Sequence, residues 1–280
     1  MTVAVTGAAG KLGRGVVAEL QAAGNDVRSI DLGGGTGIVT ADLRDAEAAR
    51  AALLGCSALV QLAAWPTPHS APPATILADN LAITSNVLFA ASELGIRRVV
   101  AASSQSVLGL PWAERVIPPD YLPVDEAHPC HPSDAYSVSK LAGEEIAAMF
   151  ARRGELDVTV LRFPAIWDHM QFEASITRRL EHPEQGAKSQ WAYIDVRDAA
   201  RATRLALEAN LPGFEIFNIT SPRTFETQPL AALLRRYYPG VPTTNIDVAN
   251  GEACFACRKA EEVLGFRARF VWEPSGIQEF

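Results

Sequence analysis

Apolar residues recur along the first part of the chain in two alternating rhythms. Residues 2 to 6 form a short, mostly apolar run that ends at Gly7. Beyond Gly10, apolar residues return at Leu12, Val16, Val17 and Leu20, the spacing of a helix with one buried face. Gly24-Asn25-Asp26 breaks that spacing, and Val27-Arg28-Ser29-Ile30-Asp31 reads as a second strand ending in an acid. The pattern therefore predicts strand, tight turn, helix and strand within about thirty residues. Leu59-Val60-Gln61-Leu62 and Arg98-Val99-Val100-Ala101-Ala102 are short apolar runs separated by a helical stretch over roughly 74–94. Val158-Thr159-Val160-Leu161 follows another helical stretch over roughly 133–152. Short runs with little polar alternation suit strands covered by helices on both faces, as in a parallel sheet. The alternation predicts an α/β fold with a doubly wound parallel sheet over residues 1–163.

Beyond Phe163 the rhythm changes. Pro164, Pro183, Pro212, Pro222, Pro229, Pro239 and Pro242 punctuate short segments, with one clear helix at 198–209. Residues 164–280 are expected to form mainly a smaller C-terminal lobe, with a segment near 190–220 returning to the sheet. Residues 112–131, rich in proline and acids, are long for a plain connection and are a candidate lid.

Composition narrows the function classes. With 48% hydrophobic and 20% charged residues the chain matches an ordinary globular protein. Its 25 Lys+Arg against 32 Asp+Glu give a net charge of -7, which offers no basic surface to a polyphosphate, so nucleic acid is not an expected partner. The start lacks a basic, cleavable leader, and no run approaches the ~20 apolar residues of a membrane span; a cytosolic protein with no membrane partner is expected. Cys56, Cys130, Cys254 and Cys257 form no disulfide framework. Cys254 and Cys257 stand in a CxxC, the spacing of a redox pair or half a zinc site, but no second CxxC completes four ligands and chance spacing is the simpler reading. His128, His131 and His169 show no metal-ligand spacing, so no metal is expected.

Three local patterns carry chemistry. The first is Gly7-Ala8-Ala9-Gly10-Lys11-Leu12-Gly13, between the first strand and helix. Gly7 permits a sharp turn, Gly10 removes the side chain where backbone nears a pyrophosphate, and Gly13 lets helix and strand pack closely; the helix start presents N–H donors to phosphates. The same glycines also suit a purely structural tight turn. Asp31, eighteen residues beyond Gly13, suits an acceptor for both adenosine ribose hydroxyls and disfavours a 2′-phosphate, which points to NAD; nearby Lys11 and Arg28 leave NADP open. Asp42 and Leu43 are candidates for contact with adenine, and Asp42 reads equally as an ordinary acid before a helix.

The second pattern is Tyr136-Ser137-Val138-Ser139-Lys140, which puts a phenol and an ammonium one turn apart on one helix face. A phenol with pKa ~10 is a poor base at neutral pH, and a neighbouring ammonium favours its ionised form. In isolation the pair reads more readily as a solvated surface, and the dinucleotide turn upstream reverses that preference. The third is Ser103-Ser104 at the carboxyl end of a strand, where open α/β sheets present ligands and where turn-forming serines are also common.

Together, Gly7-x-x-Gly10-x-x-Gly13, Ser104 and Tyr136-x-x-x-Lys140 resemble the extended short-chain dehydrogenase/reductase family, the NAD-dependent epimerase/dehydratase group. Leu62-Ala63-Ala64, Asp79-Asn80 and Tyr193-Ile194-Asp195-Val196-Arg197-Asp198-Ala199-Ala200 extend the likeness over most of the chain. The resemblance implies a Rossmann-type fold and an enzyme in which Tyr136 is the acid/base, Lys140 holds the nicotinamide ribose and tunes Tyr136, and Ser104 polarises the substrate oxygen. It implies that Asn80 orders the site, that Leu62, Ala63 and Ala64 line the cofactor, and that the segment with Pro164 and Ile166 passes beside the nicotinamide. Leu108 and Phe163-Pro164-Ala165 depart from the family pattern, at positions that orient substrate.

The reaction so implied takes hydride from a secondary alcohol. Release of the ketone makes a dehydrogenase, and return of the hydride makes an epimerase that retains its cofactor. Ser104-Gln105-Ser106 lacks the Asp-Glu pair of family dehydratases. A small second lobe suits a small sugar or sugar acid, with a thin likeness to uronate dehydrogenases, and Arg162, Arg178 and Arg179 are candidate carboxylate ligands. The family likeness also implies a homodimer through the helices over 74–94 and 133–152. A non-catalytic dinucleotide sensor is the alternative from a different class; such sensors generally lack the Tyr-Lys pair.

Overall fold

The computed structural model describes residues 1–244, 252–273 and 276–280. In chain order the elements are β1 (Thr2–Thr6), α1 (Lys11–Ala22), β2 (Asp26–Asp31), β3 (Ile38–Thr40), α2 (Ala46–Leu53), β4 (Ala58–Gln61), α3 (Pro73–Glu93), β5 (Arg98–Ser104), a 3-10 turn (Gln105–Leu108), α4 (Ala135–Arg152), β6 (Asp157–Phe163), β7 (Ala165–Trp167), α5 (His169–Glu181), α6 (Pro183–Ala187), β8 (Tyr193–Asp195), α7 (Val196–Ala209), β9 (Phe214–Asn218), α8 (Leu230–Tyr237), α9 (Arg258–Leu264), β10 (Phe270–Glu273) and β11 (Gly276–Glu279). They divide into two compact units. One holds Met1–Ser103, Asp134–Leu161 and Ala200–Ile216; the other holds Ser104–Ser133, Arg162–Ala199 and Phe217–Phe280. Residues 104–133 thus pack with the second unit, a division that a single boundary after Phe163 does not capture.

The first unit is built on a seven-stranded sheet in the order β3-β2-β1-β4-β5-β6-β9, the doubly wound arrangement that the apolar runs predict. Pairing is parallel from β3 through β5, with Val3 opposite both Val27 and Ala58. Ala4, Ile30, Leu59, Val99 and Val158 from the strands pack with Leu53, Val87, Leu88 and Phe150 from α2, α3 and α4 in one core cluster. The order reverses between β1 and β4, and the loops after these two strands therefore diverge around a crevice at their carboxyl ends. By length and composition α3 reaches what a membrane span needs, which corrects the expectation that no run approaches that length. Here it packs against α2 and α4.

The second unit has two small sheets, β7 with β8 in parallel and β10 with β11 antiparallel. Its core is aromatic: Trp167, Phe172, Tyr193, Phe225 and Trp272 are buried in ring contact. The stretch from Tyr193 to Asp198 organises this unit. Tyr193 OH accepts from Trp272 N at 2.6 Å, and Asp198 Oδ2 accepts from Arg269 N and Phe270 N, both at 2.8 Å. Asp195 forks Arg197 at 2.9 Å through both oxygens, and that guanidinium lies over Phe270.

Residues 112–131 are stitched into the second unit and are no free flap. Leu122 N donates to Pro242 O and Val124 N to Cys254 O, each at 2.8 Å, and both side chains are buried. Cys254 and Cys257 are free thiols pushed up to about 12 by burial, and Cys257 Sγ accepts from Thr220 N. Cys254 is buried and Cys257 partly so. The pattern of prolines hid α5, α6, α8 and α9, although Phe172, Ile176 and Leu180 repeat every four residues along α5 and all join the aromatic core.

Candidate functional site

The glycine turn joins β1 to α1. Gly7 has a positive φ of 67°, and Gly10 N donates to Gly7 O at 3.0 Å. Gly10 is the N-cap of α1 and supplies no side-chain cap, so the first turn of the helix meets the crevice as bare backbone. A Cβ on Gly13 would lie 2.1 Å from Gly7 O and 2.7 Å from Ala8 Cα, and one on Gly7 would lie 2.9 Å from Ala63 N. Close approach of three backbone segments is what these positions require.

The loop after β4 is clamped to this turn. Thr6 Oγ1 accepts from Leu62 N at 3.0 Å and Ala63 N at 3.2 Å, and donates to Gln61 Oε1, while Gln61 Nε2 reaches Ala63 O at 3.1 Å. Leu62 and Ala63 thereby stand beside Gly7. Asp31, at the end of β2, accepts from Ala9 N through one oxygen and from Gly33 N through the other, both at 2.9 Å. Its carboxylate is locked at the mouth of the turn with lone pairs remaining. Arg28 points elsewhere, donating to Ala52 O and Leu54 O at the end of α2. Asp42 is forked by Arg44, which holds its carboxyl below the usual range, and Arg44 also reaches Asp79 at 3.2 Å. Leu43 is buried, and its carbonyl accepts from Asn86 Nδ2 at 3.1 Å. An uncapped helix start, a surface without Cβ atoms and an anchored carboxylate fit a dinucleotide with a free ribose diol.

On α4, Asp134 caps the helix by accepting from Ser137 N at 2.9 Å, which sets the phase of the turn that follows. Tyr136 is buried, and Lys140 Nζ lies 5.9 Å from the centre of its ring. That amine donates to Ala102 O at 3.1 Å, and burial pushes it down to about 8, with Glu144 acting in the opposite direction. Asn80 Oδ1 accepts from Trp65 N at 2.8 Å and Asn80 Nδ2 donates to Ser139 Oγ at 2.9 Å, so α3, α4 and the loop after β4 are tied through one buried amide. Gln61, Asn80, Thr84, Ser103, Lys140 and Glu144 line a small cavity here.

Gly7, Gly10, Lys11, Leu12, Gly13, Asp31, Asp42, Leu43, Leu62, Ala63, Ala64, Asn80, Tyr136 and Lys140 all belong to the first unit. Ser104, Pro164 and Ile166 belong to the second. Ser104 follows Ser103 directly, and its Oγ accepts from Ser106 N at 3.1 Å. Pro164 joins β6 to β7, where Ile166 pairs with Ile194. Of the candidate arginines, Arg162 is buried and donates to Glu126 O, Arg178 is exposed, and Arg179 lies over Trp167. Thr6, Gln61, Ser139 and Glu144 join the candidate site through these bonds and this cavity and were given no role by the sequence reading; the helical spacing of Ser139 and Glu144 from Tyr136 and Lys140 was the available signal.

The chain is 32% identical over 223 residues to an L-arabinose 1-dehydrogenase (NAD(P)(+)) of Haloferax volcanii, a match covering 75% of this chain and 84% of the relative. It is 35% identical over 153 residues to a uronate dehydrogenase of Agrobacterium fabrum, covering 52% and 54% of the two chains. Among solved structures, a short-chain dehydrogenase/reductase superfamily protein from Agrobacterium tumefaciens with bound NAD superposes with a TM-score of 0.73 at 27% identity, covering 97% of this chain and 93% of that one. The model of the NAD dependent epimerase/dehydratase family matches residues 3–220, a span running from β1 to just past β9, and the chain is therefore a member of that family.

Proposed function

We propose that the protein is an NAD-dependent dehydrogenase that oxidises a secondary alcohol of a small sugar or sugar acid, with Tyr136 as proton acceptor. The observation that carries this reading is Lys140, half-buried beside Tyr136 and held on Ala102 O in the same unit as the glycine turn and Asp31. The names of the arabinose and uronate dehydrogenases support a compact substrate.

Bound NAD supplies the hydride acceptor. In this reading the backbone at Gly7, Gly10, Lys11, Leu12 and Gly13 receives the pyrophosphate, Asp31 the adenosine ribose, and Asp42 and Leu43 the adenine. Leu62, Ala63 and Ala64 line the cofactor, and Pro164 and Ile166 flank the nicotinamide. Tyr136 takes the proton from the alcohol oxygen, the Lys140 ammonium favours the phenolate that does so and holds the nicotinamide ribose, and Ser104 hydrogen-bonds the substrate oxygen. A cytosolic homodimer through α3 and α4 belongs to the same proposal.

The test is absorbance of reduced nicotinamide with pentoses, hexoses, uronic acids and nucleotide sugars, with NAD and with NADP. Tyr136→Phe is expected to lower kcat by about 10²-fold or more while NAD binding by calorimetry is retained. Turnover that survives this substitution removes Tyr136 from the chemistry. Sugar inversion without accumulation of NADH replaces the dehydrogenase by an epimerase. No turnover of any sugar, with NAD still bound, favours a sensor.

A further inference from the structure

Glu144 has no part in the reading above, yet it is the acidic side chain lining the cavity that Lys140 lines. It is only 5% exposed, and its Oε1 accepts a 2.6 Å hydrogen bond from Ser103 Oγ. Tyr136, Lys140 and Glu144 follow one another at intervals of four along α4 and so share one face. The amine is held on Ala102 O, and the other polar side chains that line the cavity do not titrate: Gln61 on β4, Asn80 and Thr84 on α3, Ser103 on β5 and Ser139 on α4. Asp79, next to Asn80, is engaged by Trp65 Nε1 and Arg44. On its own helix the titratable neighbours are Tyr136 and Glu144. An ammonium in such surroundings loses hydration and sheds its proton readily unless a fixed negative charge opposes the loss.

Resting on the reading of Tyr136 and Lys140 given above, we propose that Glu144, oriented by Ser103, is a positioning residue whose carboxylate keeps the Lys140 amine protonated and thereby keeps Tyr136 ionisable. Burial drives the amine down and Glu144 acts against it, in agreement with this geometry. Ser103 fixes the carboxylate on the β5 side, next to the carbonyl that holds Nζ, so one strand end sets both members of the pair.

The chain has four lysines, Lys11, Lys140, Lys188 and Lys259, so spectra of isotope-labelled lysine are assignable by single substitutions. Glu144→Gln keeps the size and the acceptor for Ser103 but removes the charge. In the protein without cofactor it is expected to lower the Lys140 titration midpoint by about one pH unit or more, and Glu144→Asp is expected to restore most of that fall. In turnover assays the alkaline limb of kcat moves to lower pH by the same interval in Glu144→Gln, with KM little changed. An unchanged Lys140 midpoint in Glu144→Gln overturns the proposal, as do equal falls in the two variants, since the effect would then follow shape and not charge. Should Glu144→Gln fail to fold, Lys140→Met provides the background. Higher stability to urea for Lys140→Met/Glu144→Gln than for Lys140→Met alone supports the pairing, and lower stability overturns it. The lysine spectra need no substrate, so a failure of the acid/base reading in Tyr136→Phe remains distinguishable from a failure of the pairing.

Discussion

Gly13→Ala adds one carbon where the structure has no room for it. That carbon would sit 2.1 Å from Gly7 O and 2.7 Å from Ala8 Cα, both backbone atoms, against a contact distance of about 3.5 Å for carbon neighbours. Relief requires Gly7 and α1 to separate by about 1 Å. The same movement breaks the bond from Gly10 N to Gly7 O and withdraws Gly7 from Ala63. Overpacking costs ~1–3 kcal/mol and a lost backbone hydrogen bond ~1 kcal/mol, offset by ~1 kcal/mol from the better helix propensity of alanine. The net expectation is a loss of about 2 kcal/mol. Gly143→Ala, inside α4, is the internal standard, because its Cβ meets only the Thr84 side chain, Cγ2 at 3.6 Å and Oγ1 at 3.8 Å; a gain of ~0.5–1 kcal/mol is expected there. Urea denaturation of the two variants measures both values, and calorimetry with NAD reads the turn itself, where Gly13→Ala is expected to weaken binding ~10-fold or more. Stability within ~0.5 kcal/mol of the parent together with unchanged NAD affinity in Gly13→Ala would refute the close-approach account.

Two further outcomes follow from the site and the second unit. Asp31→Ser removes a carboxylate that holds Ala9 N and Gly33 N, and NAD affinity is expected to fall ~10–100-fold while the preference for NAD over NADP narrows; equal losses for both cofactors in binding titrations would show that the carboxylate does not read the ribose. With Cys254 fully buried and its thiol pushed up to about 12, it is protonated at pH 8 and is expected to resist Ellman's reagent until the protein is denatured, whereas prompt labelling of Cys254 in the native protein would contradict its burial.

What could be read from the chain before its structure was local. The glycine turn is seven consecutive residues, and its steric demands follow from backbone geometry alone. Tyr136 and Lys140 share a face because any α-helix places residues four apart together. The alternation of strands and helices came from apolar runs long enough to show burial on both faces; β3, three residues with only Ile38 partly buried, is too short to carry such a pattern and owes its strand conformation to the edge of β2.

Tertiary structure decided which side chains complete the site. The bonds from Thr6 to Gln61, Asn80 to Ser139 and Ser103 to Glu144 span 55, 59 and 41 residues, and no periodicity encodes them. It also turned Arg28 away toward α2, gave Asp42 to Arg44 and made Asp198 an anchor for the start of β10. Helix and turn geometry repeat every few residues and so leave a trace along the chain. A buried hydrogen bond between distant segments exists only after packing has excluded water and brought donor and acceptor face to face, and no stretch of sequence contains that condition.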